Sequence, residues 1–263
     1  MSPTVLLCAP DFFDVVYSIN PWMQGQEKVD KRLAIEQWEK MRAAIQEWGV
    51  RVELITQREN LPDMVFTANA GTVVGNRVVM SNFKFPQRAG ETAAFEEWFT
   101  AHGYEAHRLP KNIKFEGCGD TVIYKDMMLA GYGYRSSLGG VRRAAKILDI
   151  ELIPLKLRHP NFYHLDTCFC VLNDYCAMYY PGAFTPSAIK KIKKLFPDLI
   201  ELDVTDATQF ACNSVVYENK ILMPSGPQKI MKELDLRGYE VTQINTSEFL
   251  KSGGSLQCMT LWI

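Results

Sequence analysis

The chain has 263 residues, 47% of them hydrophobic and 22% charged, with a formal net charge of −1. That is enough apolar material for a sizeable core, and the balanced charge, free of long runs of one sign, argues against a nucleic-acid partner or binding to an anionic membrane. The apolar run Val5 to Ala9 is too short for a signal peptide core or a membrane span, and seven cysteines without CxxC or Cys/His spacing argue against a disulfide framework and a structural zinc site. A soluble, cytoplasmic protein is the expectation.

From Asp30 to Trp48, apolar residues at Leu33, Trp38, Met41, Ile45 and Trp48 recur at helical spacing, Gly49 ends the helix, and Val50 to Ile55 alternates like a strand. Thr72 to Met80 reads as a hairpin turning at Gly75-Asn76. A helix carrying Phe95, Trp98 and Phe99 follows, then Gly103 and a short strand, Glu105 to Leu109. The same order then returns. Thr121 to Tyr124 and Met127 to Ala130 form a second hairpin, with a helix over Val141 to Leu148 and a strand over Glu151 to Leu155. A third copy runs Cys168 to Leu172, Tyr175 to Tyr180, Pro186 to Phe196 and Asp198 to Leu202. A fourth runs Ser214 to Tyr217, Lys220 to Met223, Pro227 to Leu236 and Tyr239 to Ile244.

The turns at Asn76, Lys125, Asn173 and Asn219 are 49, 48 and 46 residues apart, a period that calls for a repeat architecture with the unit strand–strand–helix–strand. The N-terminal segment supplies the helix and last strand of one more unit, and Cys258 to Ile263 supplies its first strand. Pairing that strand with Val5 to Ala9 closes a ring of five and protects its sheet edges. No linker or low-complexity stretch divides the chain, so residues 1–263 are expected to form one domain.

Polar residues stand just upstream of each hairpin: Asn69; Glu116 and Asp120; His164 and Asp166; then Cys212 and Asn213. Cys258 opens the ring-closing strand. In a ring with rotational pseudo-symmetry these equivalent positions face one axis. His164 and Asp166, two apart at the front of an expected strand, would project to the same side. A thiol, an imidazole, carboxylates and an amide facing one another make a nucleophilic site. A neighbouring cation, His⁺ or a bound substrate, favours the thiolate, and carboxylates grip a planar cation through paired hydrogen bonds. His164 titrates nearest neutrality and suits proton transfer.

Taken singly, each residue has a plainer explanation. A free Cys is usually a small buried hydrophobe, and Cys8, Cys168, Cys170, Cys176 and Cys212 are read that way. Glu116 to Asp120 has the composition of a tight turn, as does Phe66 to Gly71 around Asn69. Arg135, after Gly131-Tyr-Gly-Tyr, reads as a surface cation or an anion ligand, and His102, His107 and His159 as solvated. The coincidence of phase carries the case.

The motifs Val65-Phe-Thr-Ala-Asn69, Phe115-Glu-Gly-Cys-Gly-Asp120, His164-Leu-Asp-Thr167 and Gly253-Gly-Ser-Leu-Gln-Cys258, in this order along the whole chain, resemble the pentein superfamily of guanidine-modifying enzymes. The resemblance implies an α/β fold, a five-bladed ββαβ propeller with pseudo-fivefold symmetry. It implies Cys258 as the nucleophile attacking a guanidinium carbon to give an amidino-thiouronium intermediate, with His164 and Glu116 moving protons and Asp166 clamping nitrogens. Arg135 would contact the substrate α-carboxylate, with Arg88 and Asn20 as further amino-acid-end contacts and Asn69 and Asp120 completing the binding set. No metal or cofactor is implied. The partner is a small guanidino compound such as arginine, and a homo-oligomer is compatible with the resemblance.

Deiminases and dimethylaminohydrolases of this superfamily commonly carry Asp where this chain has Asn69. An amide both donates and accepts, so it suits a neutral ureido group better than a second anion would. The Asn version, with Ser18-Ile-Asn-Pro-Trp-Met23 nearby, looks most like the arginine dihydrolases, which give ornithine, carbon dioxide and two ammonia; a free-standing enzyme of that kind is the expectation. Rival readings are a one-step deiminase or dimethylaminohydrolase giving citrulline, an amidinotransferase, a metal hydrolase built on Glu116, Asp120 and His164, and a catalytically silent arginine-binding propeller.

Overall fold

A computed structural model describes residues 3–263 of the protein. Among the described residues, fifteen strands form five three-stranded sheets, the blades of a propeller. The first blade comprises Gly71–Val74, Arg77–Met80, the helix Glu91–Ala101 and Glu105–His107. Thr121–Tyr124, Met127–Tyr132, the helix Leu138–Leu148 and Glu151–Lys156 make the second. The third has Phe169–Val171, Cys176–Tyr179, the helix Pro186–Leu195 and Asp198–Glu201. The fourth has Val215–Tyr217, Lys220–Pro224, the helix Lys229–Asp235 and Glu240–Ile244.

In each sheet the middle strand pairs antiparallel with the first and parallel with the last. In the first blade Val78 lies opposite Val73 on one side and Ala106 on the other. A parallel partner needs a crossover, and the helix of each repeat provides it. The terminal blade is assembled from both chain ends as expected. Val5 pairs with Trp262 and Leu6 with Leu261, while Thr4–Cys8 runs parallel to Arg51–Ile55.

The helices Lys31–Glu47 and Leu138–Leu148 start where side-chain acceptors meet free N–H groups. Asp30 Oδ1 accepts from Leu33 N at 3.1 Å, and Ser137 Oγ accepts from Gly140 N at 3.0 Å. Their apolar faces fill the space between neighbouring blades. Val141, Ala144, Ala145 and Leu148 pack with Val79 of the first blade and with Met128 and Ala130 of their own. Arg77, on the first blade, donates to Ile147 O and Leu148 O, the open carbonyl end of the second blade's helix, at 2.8 and 2.9 Å. Towards the axis, the hydroxyls of Thr72 and Thr121, opening successive blades, lie 2.6 Å apart.

Two expectations need correction. His164 and Asp166 do not lie on a strand: Leu165–Thr167 is a single 3-10 turn preceding Phe169–Val171. Cys258 likewise does not open the last strand but lies in the turn before Leu261–Trp262. The first and second blades show the same arrangement, with helical turns Thr67–Ala70 and Gly117–Asp120 ahead of their first strands. A strand would spread its side chains over both faces. A turn at the sheet's end bunches polar groups at the axis.

Candidate active site

A small cavity lies against the turns that carry Asn69 and Cys258 and against His164, which heads a third. Its walls include Ile19, Asn20, Met23, Asp63, Phe66, Asn69, Arg88, Arg135, Tyr163, His164, Ser252, Gly254 and Cys258. The free volume is about 10 Å³, room for roughly one water molecule. The sulfur near the carboxy terminus and the imidazole of the third blade therefore face the same space.

Cys258 is 3% exposed. Its thiol donates to Asp166 Oδ2 at 3.1 Å and accepts from Asn213 Nδ2 at 3.1 Å. Burial, and then the charge of Asp166, push this thiol well above its ordinary value. Burial also pushes the Asp166 carboxyl up to about 7, against the hydrogen bonds from Cys258 and Asn213. Asp166 Oδ1 is buried and has no hydrogen-bond partner, so it is an acceptor still able to take a donor. The pair is a buried thiol beside a buried carboxyl, and an arriving cation would stabilise both anionic forms at once.

His164 Nε2 lies 2.9 Å from Glu116 Oε2, which also accepts from Arg135 Nη1 at 3.0 Å. Burial alone would raise the Glu116 carboxyl. Arg135 and the bond to His164 outweigh it and hold the group well below the usual carboxylate range. Its other oxygen accepts from Lys84 N at 2.9 Å, so both oxygens are fixed.

Arg135 is 4% exposed, so it is no surface cation. Its guanidinium lies between the rings of Phe85 and Tyr163, at 4.8 and 4.6 Å, and donates to Ile19 O at 3.0 Å. Arg88 is gripped by both oxygens of Glu91 at 2.8 Å and donates to Asn69 Oδ1 at 2.8 Å and Asp63 O at 3.2 Å. Those bonds use four of the five guanidinium hydrogens, so Arg88 holds Asn69 in place more than it offers itself to a ligand. The Asn69 amide donates to Glu116 O at 3.3 Å, which sets its orientation. Asn20 caps the short turn Pro21–Met23 and donates to Ser252 O at 3.0 Å, tying the N-terminal wall to the C-terminal loop.

Asp120 lies behind the site. Its oxygens accept from Ser136 N at 3.0 Å and Leu165 N at 3.3 Å, and burial pushes its carboxyl up to about 6. It buttresses the turn that carries His164 and, like Glu116 and Asp166, stands behind the residues of the cavity wall. His102 is exposed and stacks on Trp98 at 3.8 Å, while the five cysteines expected to be core are all buried and free.

Several wall residues escaped the sequence reading. Asp63 is 2% exposed and accepts from Tyr17 Oη at 2.9 Å and Ser252 Oγ at 3.1 Å. It stands on the turn Pro62–Val65, outside the repeat unit, so no periodic signal marks it. Tyr163 adjoins His164 in sequence and donates to Gly253 O at 2.6 Å, and Ile19 and Met23 flank the noted Asn20. Asn213 has the phase of the other polar residues in the repeat, and its sequence context points to no task for it.

Comparison with known proteins agrees with this geometry. The model of the family described as "N,N dimethylarginine dimethylhydrolase, eukaryotic" matches residues 18–263. The bifunctional arginine dihydrolase/ornithine cyclodeaminase AgrE of Nostoc sp. is 42% identical over 261 residues, 97% of this chain and 37% of that protein. The chain thus spans little more than a third of that relative's length. The N(G),N(G)-dimethylarginine dimethylaminohydrolase of Mycobacterium tuberculosis is 38% identical over 254 residues, covering 97% of this chain and 83% of that one. The crystallised N-terminal domain of ArgZ, an arginine dihydrolase from the ornithine-ammonia cycle in cyanobacteria, superposes with a TM-score of 0.97 at 39% identity, covering 100% of this chain and 97% of that one. A variant of that domain has been solved covalently bound to a reaction intermediate. With the pentein fold and its motifs in place, the chain belongs to the N,N-dimethylarginine dimethylhydrolase family.

Proposed function

We propose that this chain hydrolyses the guanidino group of arginine through a covalent intermediate on Cys258, with the dihydrolase outcome of ornithine, carbon dioxide and two ammonia. The observation carrying the proposal is the thiol 3.1 Å from Asp166 Oδ2, sharing a cavity wall with an imidazole 2.9 Å from Glu116. A planar cation entering there would donate to the open Asp166 Oδ1 and to Glu116, and its positive charge would favour transfer of the Cys258 proton to His164 on the same cavity wall. The thiolate adds to the guanidinium carbon, ammonia leaves as His164 protonates its nitrogen, and the same imidazole activates water against the thiouronium carbon to free a ureido product. A second pass on that ureido carbon expels the second ammonia, and water then releases a carbamate that breaks down to ornithine and carbon dioxide.

The amino-acid end has matching groups. Asp63 offers an anion for an α-ammonium, and Arg135 a cation for an α-carboxylate. Arg135 is bonded to Glu116, so that pair has to exchange partners when substrate enters. Breaking a buried pair outright costs about 3–5 kcal/mol. A substrate carrying its own guanidinium and carboxylate replaces both halves, whereas a lone guanidinium or carboxylate replaces one. At about 10 Å³ the cavity is smaller than an amino acid, so its wall has to yield when one enters.

Asn69 favours the two-step outcome, because its amide is fixed between Arg88 and Glu116 O and can serve a neutral ureido intermediate. A one-step reading draws support from the family description and from the mycobacterial relative. Product analysis with purified protein and arginine separates them: two ammonia with ornithine supports the proposal, and one ammonia with citrulline rejects the dihydrolase outcome. Asn69→Asp is expected to move the product towards citrulline.

A further inference from the structure

Around the axis, the first, second, third and terminal blades each contribute a group with a task in the proposed chemistry. The fourth blade's contribution, Asn213, stands two residues before the strand Val215–Tyr217 and is 0% exposed. Burying an amide so completely is costly unless each polar atom is matched, and here each is. Nδ2 donates to Cys258 Sγ at 3.1 Å and to Asp166 O at 3.1 Å, and Oδ1 accepts from Cys258 N at 3.2 Å. The Asn213 backbone carbonyl also accepts from Gln257 N at 3.2 Å.

The neighbours leave the amide one orientation. Turned over, its oxygen would face the Asp166 carbonyl and its NH₂ would face the Cys258 N–H, two repulsive contacts in place of two bonds. The NH₂ is thus aimed at the sulfur by its surroundings. Sγ lies between one acceptor, Asp166, and one donor, Asn213. When the thiol loses its proton, the contact with Asp166 turns from a bond into a repulsion. The contact with Asn213 becomes a charge-assisted hydrogen bond and strengthens.

We propose that Asn213 is the positioning residue of the nucleophile: its NH₂ steadies the Cys258 thiolate against Asp166, and its Oδ1 pins the Cys258 backbone so that the sulfur stays on the cavity wall. This rests on Cys258 being the nucleophile. The thiolate is the species that attacks, so loss of its donor lowers turnover more than substrate binding.

The test uses the full chain and two variants, Asn213→Asp and Asn213→Ala. Asn213→Asp keeps the shape and the acceptor for Cys258 N–H but replaces the donor with a carboxylate oxygen. Asn213→Ala removes the donor without adding charge. The rate of iodoacetamide alkylation at Cys258 is followed against pH by peptide mass spectrometry, alongside kcat and KM for arginine and the circular dichroism spectrum. For both folded variants the alkylation profile is expected to move to higher pH by about one unit, a tenfold loss of thiolate at a given pH. The fall in kcat is expected to be tenfold or more, with KM changing less than about threefold. Variants that fold and keep the parental alkylation profile overturn the inference while Cys258 remains the nucleophile. Undiminished arginine turnover by Cys258→Ser would instead overturn the reading beneath it.

Discussion

Residues at this axis are buried with their charges, and that ties stability to pH. The carboxyl of Asp166 is pushed up to about 7 and that of Asp120 to about 6, chiefly by burial. Unfolded, both titrate near 4. Between about pH 4 and pH 7 the folded chain therefore holds protons that the unfolded chain has released, and stability falls as pH rises through this window. Glu116 acts in the opposite sense, but its folded value is depressed, so its contribution is lost only as pH falls below the usual carboxylate range. The ligand-free protein is expected to melt at a lower temperature at pH 7.5 than at pH 5.5. Asp166→Asn should shrink that difference, and calorimetry across the two pH values measures it. These shifts were out of reach of the sequence, which shows that Asp166 is a carboxyl but not how little water surrounds it.

The elements that matter most are the helical turns ahead of each first strand. They pack so closely that glycine is demanded within them. A Cβ at Gly119 would lie 2.2 Å from Asn69 Nδ2 and 3.1 Å from His164 Nδ1. A Cβ at Gly117, whose φ is +56°, would meet the backbone of Gly71 at 2.7 Å. Gly119→Ala should thus displace Asn69 and His164 together. The expected outcome is a loss of more than tenfold in kcat for arginine, with a near-native circular dichroism spectrum. Unchanged kinetics would show that the turns have more slack than these distances allow. The repeat's phase sets Asn69, Glu116, His164 and Cys258 at equivalent points, but their sequence context points to strands for His164, Asp166 and Cys258 where the structure has turns. Alternation over three or four residues looks the same in a short turn, and only backbone hydrogen bonds distinguish the two.

At the scale of the whole molecule, stability depends on the two chain ends meeting. The last strand has only two residues, Leu261 and Trp262, yet it pairs with Val5 and Leu6 and completes the fifth sheet. Leu261 is 1% exposed and packs with Leu6, Ile55 and Met80. Leu261→Ala is expected to cost about 2–5 kcal/mol, by the measure of leucine truncations in packed cores. Because the turn with Cys258 directly precedes this strand, the variant should also lose activity below its melting temperature. Chemical denaturation measures the first effect and ammonia release the second. Among the described residues, no helix is long and apolar enough to cross a membrane.

The sequence by itself determined the repeat, the five-part ring, its closure by the chain ends and the residue types gathered at the axis. Hydrophobic period and turn chemistry are local properties, and rotational pseudo-symmetry turns a recurring phase into a shared location. Tertiary structure alone decided how the gathered groups are paired: Arg88 to Glu91 and Asn69, Arg135 to Glu116, Asp120 to the backbone behind His164, and Asn213 to the sulfur. Those pairings depend on distances of a few tenths of an ångström and on the exclusion of water. Both arise only when segments from all five blades are packed against one another.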